Sequence, residues 1–206
     1  MKTPLPILVL ALALLLVSCG SGLRSGDQSD DAGAIALSLE PGNRPIASFS
    51  LILAIGPLSH PTGPIVWVNW PRSDFLRVRK PDFGDVHGDN GYVYLFHLRP
   101  GTYSIGAFHL RGCNDLNSTA EPIFPLPVTI RPGRVVYIGS YVAYLLDPNI
   151  SKKCDSRPAK FKIVLSDRSR RDIEILKRLF PQERWDNISI ELPYPAAANQ
   201  PMVVTH

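Results

Sequence analysis

Outside its first twenty residues the chain lacks most of what usually betrays an activity. Its longest early apolar run covers residues 7–17, short of the roughly 20 apolar residues of a spanning helix. Charge of either sign is not in surplus: 22 Lys and Arg against 18 Asp and Glu leave +4 over 206 residues. With so mild an excess and no basic stripe interleaved with aromatics, the chain does not read as a nucleic-acid binder. There is no Gly-x-Ser-x-Gly elbow, and none of the five histidines is spaced His-x-x-x-His. A hydrolase reading therefore lacks a nucleophile set beside a base. Asp82-Phe83-Gly84 spells a kinase metal motif, but no Gly-rich nucleotide loop or catalytic loop accompanies it. Cysteine is scarce, at three. The expectation is a protein that is not an enzyme and carries no cofactor.

What is present starts at the N-terminus. Lys2 precedes the apolar run, and Leu16-Val17-Ser18-Cys19-Gly20 follows. A charged start, a short apolar middle and small residues at the end make a secretory signal. Leu16-Val17-Ser18-Cys19 also resembles the lipobox of bacterial lipoproteins. The resemblance implies that residues 1–18 are a signal peptide and that Cys19 is acylated (palmitate) and becomes the first mature residue. Each buried CH₂ of such an anchor contributes about 0.8 kcal/mol, so the chain stays on its lipid bilayer. Gly20, where an Asp would retain the protein at the inner membrane, implies sorting to the outer membrane, facing the periplasm or the outside. The alternative is an ordinary signal peptide cut nearby, with Cys19 a plain thiol or removed.

Removing residues 1–18 leaves 188 of 206 residues, one medium-sized domain able to bury a core. Cys113 and Cys154 then form an even pair in an oxidising compartment. Their neighbours, Arg-Gly-Cys-Asn-Asp and Lys-Lys-Cys-Asp-Ser, are polar and loop-like. A disulfide between them would close a loop of about 40 residues and stabilise by a few kcal/mol. Two unrelated thiols are the alternative.

Residues 19–33 comprise the lipidated Cys and a Ser-, Gly-, Asp- and Gln-rich tether. About 14 such residues span about 20 Å root-mean-square. Residues 34–192 form the expected domain. Short β-type runs cover 34–40, 49–55, 65–70, 75–79, 92–98, 103–110, 126–130, 134–145 and 161–165, separated by Pro, Gly, Asn and Asp. Two of the connections, Arg99-Pro100-Gly101-Thr102 and Arg131-Pro132-Gly133, predict hairpins between the runs that flank them. Tyr92, Tyr94, Phe96 and Leu98 share one face and Val93, Leu95 and His97 the other, so that strand is apolar on both sides. Twenty prolines argue against long helices. One helix is predicted over 168–180, capped by Ser166 or Asp167 and stopped by Pro181, with Ile173, Leu176 and Phe180 on its apolar stripe. Its basic remainder reads as a solvated face or a patch for anionic headgroups or glycan. The Ala- and Pro-rich residues 193–206 read as a frayed tail.

The series of short strands points to a mainly β fold, an antiparallel β-sandwich with one C-terminal α-helix. The phrase Phe96-His97-Leu98-Arg99-Pro100-Gly101-Thr102-Tyr103-Ser104-Ile105 resembles the turn of prealbumin-like (Ig-like) domains, including carboxypeptidase-regulatory-like ones. Arg131-Pro132-Gly133 before Val135-Val136-Tyr137-Ile138-Gly139 is similar to uncharacterised bacterial lipoproteins with that sandwich. The likeness covers residues 34–180 and implies a fold and an address, with no functional residues to carry over.

Three places could bear chemistry. Asp85, His87 and Asp89 alternate within Asp82-Phe83-Gly84-Asp85-Val86-His87-Gly88-Asp89-Asn90-Gly91 and, in an extended segment, would project to one side toward a metal. The closing glutamate of a calcium loop is missing, and Gly and Asn content also fits a plain solvent loop. Trp67 and Trp70, with Phe75 and Tyr92, could form a platform for sugar rings, although ordinary core packing accounts for them equally. His97 and His109 sit near the two ends of the first predicted hairpin and need not meet. Asn117, Asn149 and Asn187 head sequons, chance matches beside a lipobox. The leading functional expectation is a non-enzymatic binding or scaffolding module contacting an envelope protein or polymer. A carbohydrate or peptidoglycan binder and a metal-dependent hydrolase stand behind it.

Overall fold

Alternation within residues 34–40 sets the plan of the molecule. Ile35, Leu37 and Leu39 are large and apolar, whereas Ala34, Ala36, Ser38 and Glu40 are small or polar. The first set enters a broad apolar cluster; the second lies under a helix. A strand carries such a code because its side chains alternate between faces.

The computed structural model describes residues 31–42, 50–57, 66–70, 73–74, 77–78, 80–84, 90–111, 117–120, 127–146, 161–192 and 201–204. In chain order its strands are β1 (Gly33–Pro41), β2 (Ser50–Pro57), β3 (Val66–Trp70), β4 (Ser73–Asp74), β5 (Arg77–Val78), β6 (Tyr92–Leu98), β7 (Gly101–Arg111), β8 (Asn117–Ala120), β9 (Pro127–Ile130), β10 (Val135–Leu145), β11 (Phe161–Ser166), β12 (Ile188–Ile190) and β13 (Pro201–Val204). Helix α1 (Ser169–Leu179) and a 3₁₀ turn (Trp185–Asn187) lie between β11 and β12. The protein is thus mainly β with one α-helix among the described residues. Of the strand expected over 75–79, the described residues Arg77–Val78 form β5, paired with β4; residues 75, 76 and 79 lie outside the described residues.

The first sheet runs β13-β11-β10-β1-β6, with β12 beside the start of β10. It is mixed: β10 is parallel to both β1 and β12, while the other pairs are antiparallel. The second sheet runs β3-β2-β7-β8, with β9 beside the start of β7, and is antiparallel throughout. One apolar cluster draws on both, from Ile35, Tyr94, Phe96, Ile138 and Tyr141 of the first and Ile55, Val68, Ile105, Phe108 and Val128 of the second.

The two Pro-Gly turns do not make hairpins. β6 pairs with β1 in one sheet and β7 with β2 in the other, so Arg99-Pro100 carries the chain across the core. Likewise β9 pairs with β7 and β10 with β1, so residues 131–134 cross back. The physical reason lies in the side chains: Phe96 and Leu98 before the first corner and Tyr103 and Ile105 after it enter the same cluster. They meet face to face rather than edge to edge. Tyr103 closes that corner by donating its hydroxyl proton to the Arg99 carbonyl, at 2.9 Å. Because the second corner returns the chain where β1 begins, β10 starts alongside β1 and runs parallel to it.

Gly139 resolves a parity conflict in β10. Ala36 pairs with Tyr137 and Ser38 with Ser140, so β10 holds one extra residue there. Gly139 takes φ of 107°, a conformation glycine adopts without steric penalty, and the bulge it makes resets the alternation. Val136 and Ile138 before it, and Tyr141 and Ala143 after it, all enter the core. Tyr137 and Ser140 consequently share the opposite face, where both bond acids beneath α1.

Helix α1 packs on β6 and β10 over that face. The cap differs from expectation: Arg168, not Ser166 or Asp167, holds the N-cap position and makes no side-chain cap bond, while Asp167 accepts from the Ser169 N–H at 2.9 Å. The buried stripe differs from expectation: it is Asp172, Ile175 and Leu176, with Ile173 and Phe180 half-buried. An apolar-only count rotates the helix because the innermost position holds a carboxylate. The tail also differs, since Pro201–Val204 pairs with β11 as β13; Met202-Val203-Val204 supplies strand-forming residues to an edge. No helix among the described residues is long and apolar enough to cross a membrane.

Candidate functional site

Beneath α1 lies a polar cluster built from three elements. Asp172, fully buried, accepts from the Ser38 and Tyr137 hydroxyls at 2.6 Å each and from Arg171 Nε at 2.8 Å. Glu40 accepts from the Ser140 hydroxyl at 2.6 Å and from Arg171 Nη1 and Nη2 at 3.1 and 3.4 Å. The Arg171 guanidinium also lies 3.8 Å from the centroid of the Phe83 ring, a favourable cation–π distance. Burial pulls the pKa of Arg171 down, but its hydrogen bonds to both carboxylates and their charges outweigh it, and the net shift is upward. Burial, then the charge of Asp172 and the hydrogen bond to it, push the Tyr137 phenol far above its ordinary range.

Such an arrangement holds its protons. The carboxylates are engaged by hydroxyls and by a guanidinium that stays charged, and burial of charge is tolerated where it is paired in this way. What it does is dock α1: Asp172 and Arg171 bind the helix to β1 and β10 at once.

A second polar place lies where β1 and β10 begin and β6 ends. A recess of about 330 Å³ there is lined by Ala32, His97, Arg134, Gln182, Glu183 and Arg184 among others. His97 Nε2 and Glu183 Oε2 are 3.1 Å apart, tying the end of β6 to the segment after α1. Trp185 anchors that segment by donating from Nε1 to the Phe180 carbonyl at 2.9 Å. The chain joins the domain at the same pole: the Gly133 N–H donates to the Ala32 carbonyl, and a Cβ on Gly33 would collide with the Arg131 carbonyl oxygen.

Of the residues singled out from sequence, His97 lines the recess and Phe83 meets Arg171 in the cluster under α1. Cys19, Cys113, Cys154, Asp85, His87 and Asp89 lie outside the described residues. Trp67 and Trp70 stand on β3, opposite Ala54 and Leu51. Tyr92 is buried in the core, so it offers no sugar platform. His97 and His109 belong to strands of different sheets. Of Asp82-Phe83-Gly84, Asp82 Oδ2 accepts from the Val93 N–H at 2.9 Å and Phe83 underlies Arg171. The motif's role is local.

No family model matches the chain, nor does any curated protein or solved structure. The cluster under α1 did leave a signal in sequence. Asp172 sits three and four positions before Ile175 and Leu176, on their stripe, and Ser38 and Glu40 continue the small face of β1.

Proposed function

We propose that the chain is a cell-envelope lipoprotein, held at the outer membrane by acylated Cys19. Its domain, a β-sandwich of the prealbumin-like kind, serves as a non-enzymatic binding or scaffolding module. The observation that carries the anchor is the signal itself: Lys2, the apolar run 7–17 and Leu16-Val17-Ser18-Cys19. β1 begins at Gly33, where the Ser-, Gly- and Asp-rich composition gives way to alternating apolar residues, so the sequence places a tether between Cys19 and the domain. Two corners crossing between sheets, the first closed by Tyr103, support the sandwich reading.

The binding role follows from how the ionisable groups are spent. Glu40, Arg171 and Asp172 bond one another and their hydroxyl neighbours, in service of packing. Exposed groups at the ends of the strands, Arg131 and Arg134 among them, would meet a partner such as an envelope protein or polymer. A Cys113–Cys154 disulfide belongs to the same proposal. Cys113 follows the end of β7 and Cys154 precedes β11, and both of those strand ends lie at the pole away from the tether. A bridge would cross-link the two sheets there.

The test is fractionation of cells expressing the wild type and Cys19→Ala, with intact mass of the membrane fraction. The reading expects wild type in the outer membrane with an acyl mass increment, and Cys19→Ala without it. A wild-type chain that is soluble and unacylated would overturn the anchor and return a secreted domain.

A further inference from the structure

The pole at which the tether joins the domain is basic, and we infer that it docks on anionic phospholipid headgroups of the membrane that holds the anchor. This rests on the lipoprotein reading above. Both inter-sheet corners lie at this pole, and with them exposed Arg99, Arg131 and Arg134. Arg184, also exposed, lines the recess with Arg134. Helix α1 runs from Glu40, near the end of β1, toward Glu183 beside His97, and so ends here too. Its last turn adds Lys177 and Arg178. Six cations therefore gather on the described surface of one end. Among the described residues the acids at the same end are Asp31, Asp186 and Glu183, the last engaged with His97.

Position decides what that charge meets. A tether of about 14 residues of this composition would place the domain at a root-mean-square distance of about 20 Å from its anchor, and the chain leaves the domain from this pole. The basic corners are thus the part of the domain held nearest the bilayer. Arginine forks suit phosphate, and the recess between Arg134 and Arg184 offers room for a headgroup phosphate. Leu179, 42% exposed beside Lys177 and Arg178, supplies an apolar residue of the kind that enters the headgroup boundary. The tether carries Asp27, Asp30 and Asp31 against Arg24, so it does not share the positive charge of the pole.

The test uses the full-length acylated protein in nanodiscs of phosphatidylcholine, with or without roughly one-third phosphatidylglycerol, read by hydrogen exchange. Each cation near an anionic surface is worth about five-fold in partition. Backbone amides of Arg99, Gly101, Thr102, Arg131, Gly133 and Arg134 are therefore expected to exchange at least about three-fold more slowly in the anionic discs. The difference should vanish near 1 M salt, where the Debye length is about 3 Å. It should also vanish in Arg131→Glu/Arg134→Glu and, independently, in Lys177→Glu/Arg184→Glu. Equal exchange in both discs, with the protein still anchored, would overturn the docking proposal alone and would fit a pole covered by its own acidic tether. A chain without an acyl group that enters neither disc would overturn the lipoprotein reading and the docking with it.

Discussion

Replacing Asp172 by alanine removes the one group that three donors from three elements share. The Ser38 and Tyr137 hydroxyls and Arg171 Nε all lose their acceptor, at a site with no exposure. A buried donor left without a partner costs about 1–3 kcal/mol, and breaking a buried ion pair costs about 3–5 kcal/mol. These effects overlap, since Arg171 keeps Glu40. We expect Asp172→Ala to lose about 4 kcal/mol. Tyr137→Phe, which deletes a single donor and leaves Asp172 two others, should lose only about 1 kcal/mol. In the double variant the orphaned Tyr137 hydroxyl is gone, so the two losses should fall short of additivity by about 1–2 kcal/mol. Urea unfolding of the full-length protein in detergent, followed by far-ultraviolet circular dichroism, measures all three. A loss below about 1 kcal/mol for Asp172→Ala, or strict additivity with Tyr137→Phe, would refute the claim that this carboxylate docks the helix.

Three further outcomes follow from the same structure. Tyr137 and Tyr141 both have pKa values raised above the ordinary 10.0, burial being the first cause in each. Stability they support is complete below pH 10 and is lost as pH rises beyond it, because only the unfolded chain then releases the protons. The loss should be about 1.4 kcal/mol per pH unit for each tyrosine, and Tyr137→Phe or Tyr141→Phe should lower the slope of stability against pH above 10 by that amount. Gly139→Ala places a Cβ against Leu165 Cδ1 at φ of 107° and should lower stability by about 2–3 kcal/mol, as seen in the thermal midpoint. Phe83→Leu removes the ring under Arg171 while keeping an apolar side chain, and should lower the urea-derived stability by about 1 kcal/mol.

Sequence alone determined the local pieces. Alternation of Ile35, Leu37 and Leu39 with Ala34, Ala36 and Ser38 made β1 legible, and two apolar faces marked β6 as covered on both sides. Pro181 and the mix of apolar and charged residues before it marked α1. The resemblance of Leu16-Val17-Ser18-Cys19 to a lipobox is wholly a matter of sequence, since it is read as a linear motif.

Tertiary structure decided which strands are neighbours. Tyr92–Leu98 and Gly101–Arg111 show the same alternation whether they pair edge to edge or face each other across a core. Only the long-range pairing of β6 with β1 and of β7 with β2 separates the two cases. The parallel β1–β10 pair is hidden for the same reason, its strands lying about a hundred residues apart. The assembly of the cluster under α1 was hidden for another, although Asp172 lies on the stripe of Ile175 and Leu176. Asp172 and Glu40 look like surface acids one residue at a time, because burying a carboxylate is unfavourable until its donors arrive. Those donors come from Tyr137 and Ser140, which share a face only because Gly139 inserts a bulge between them.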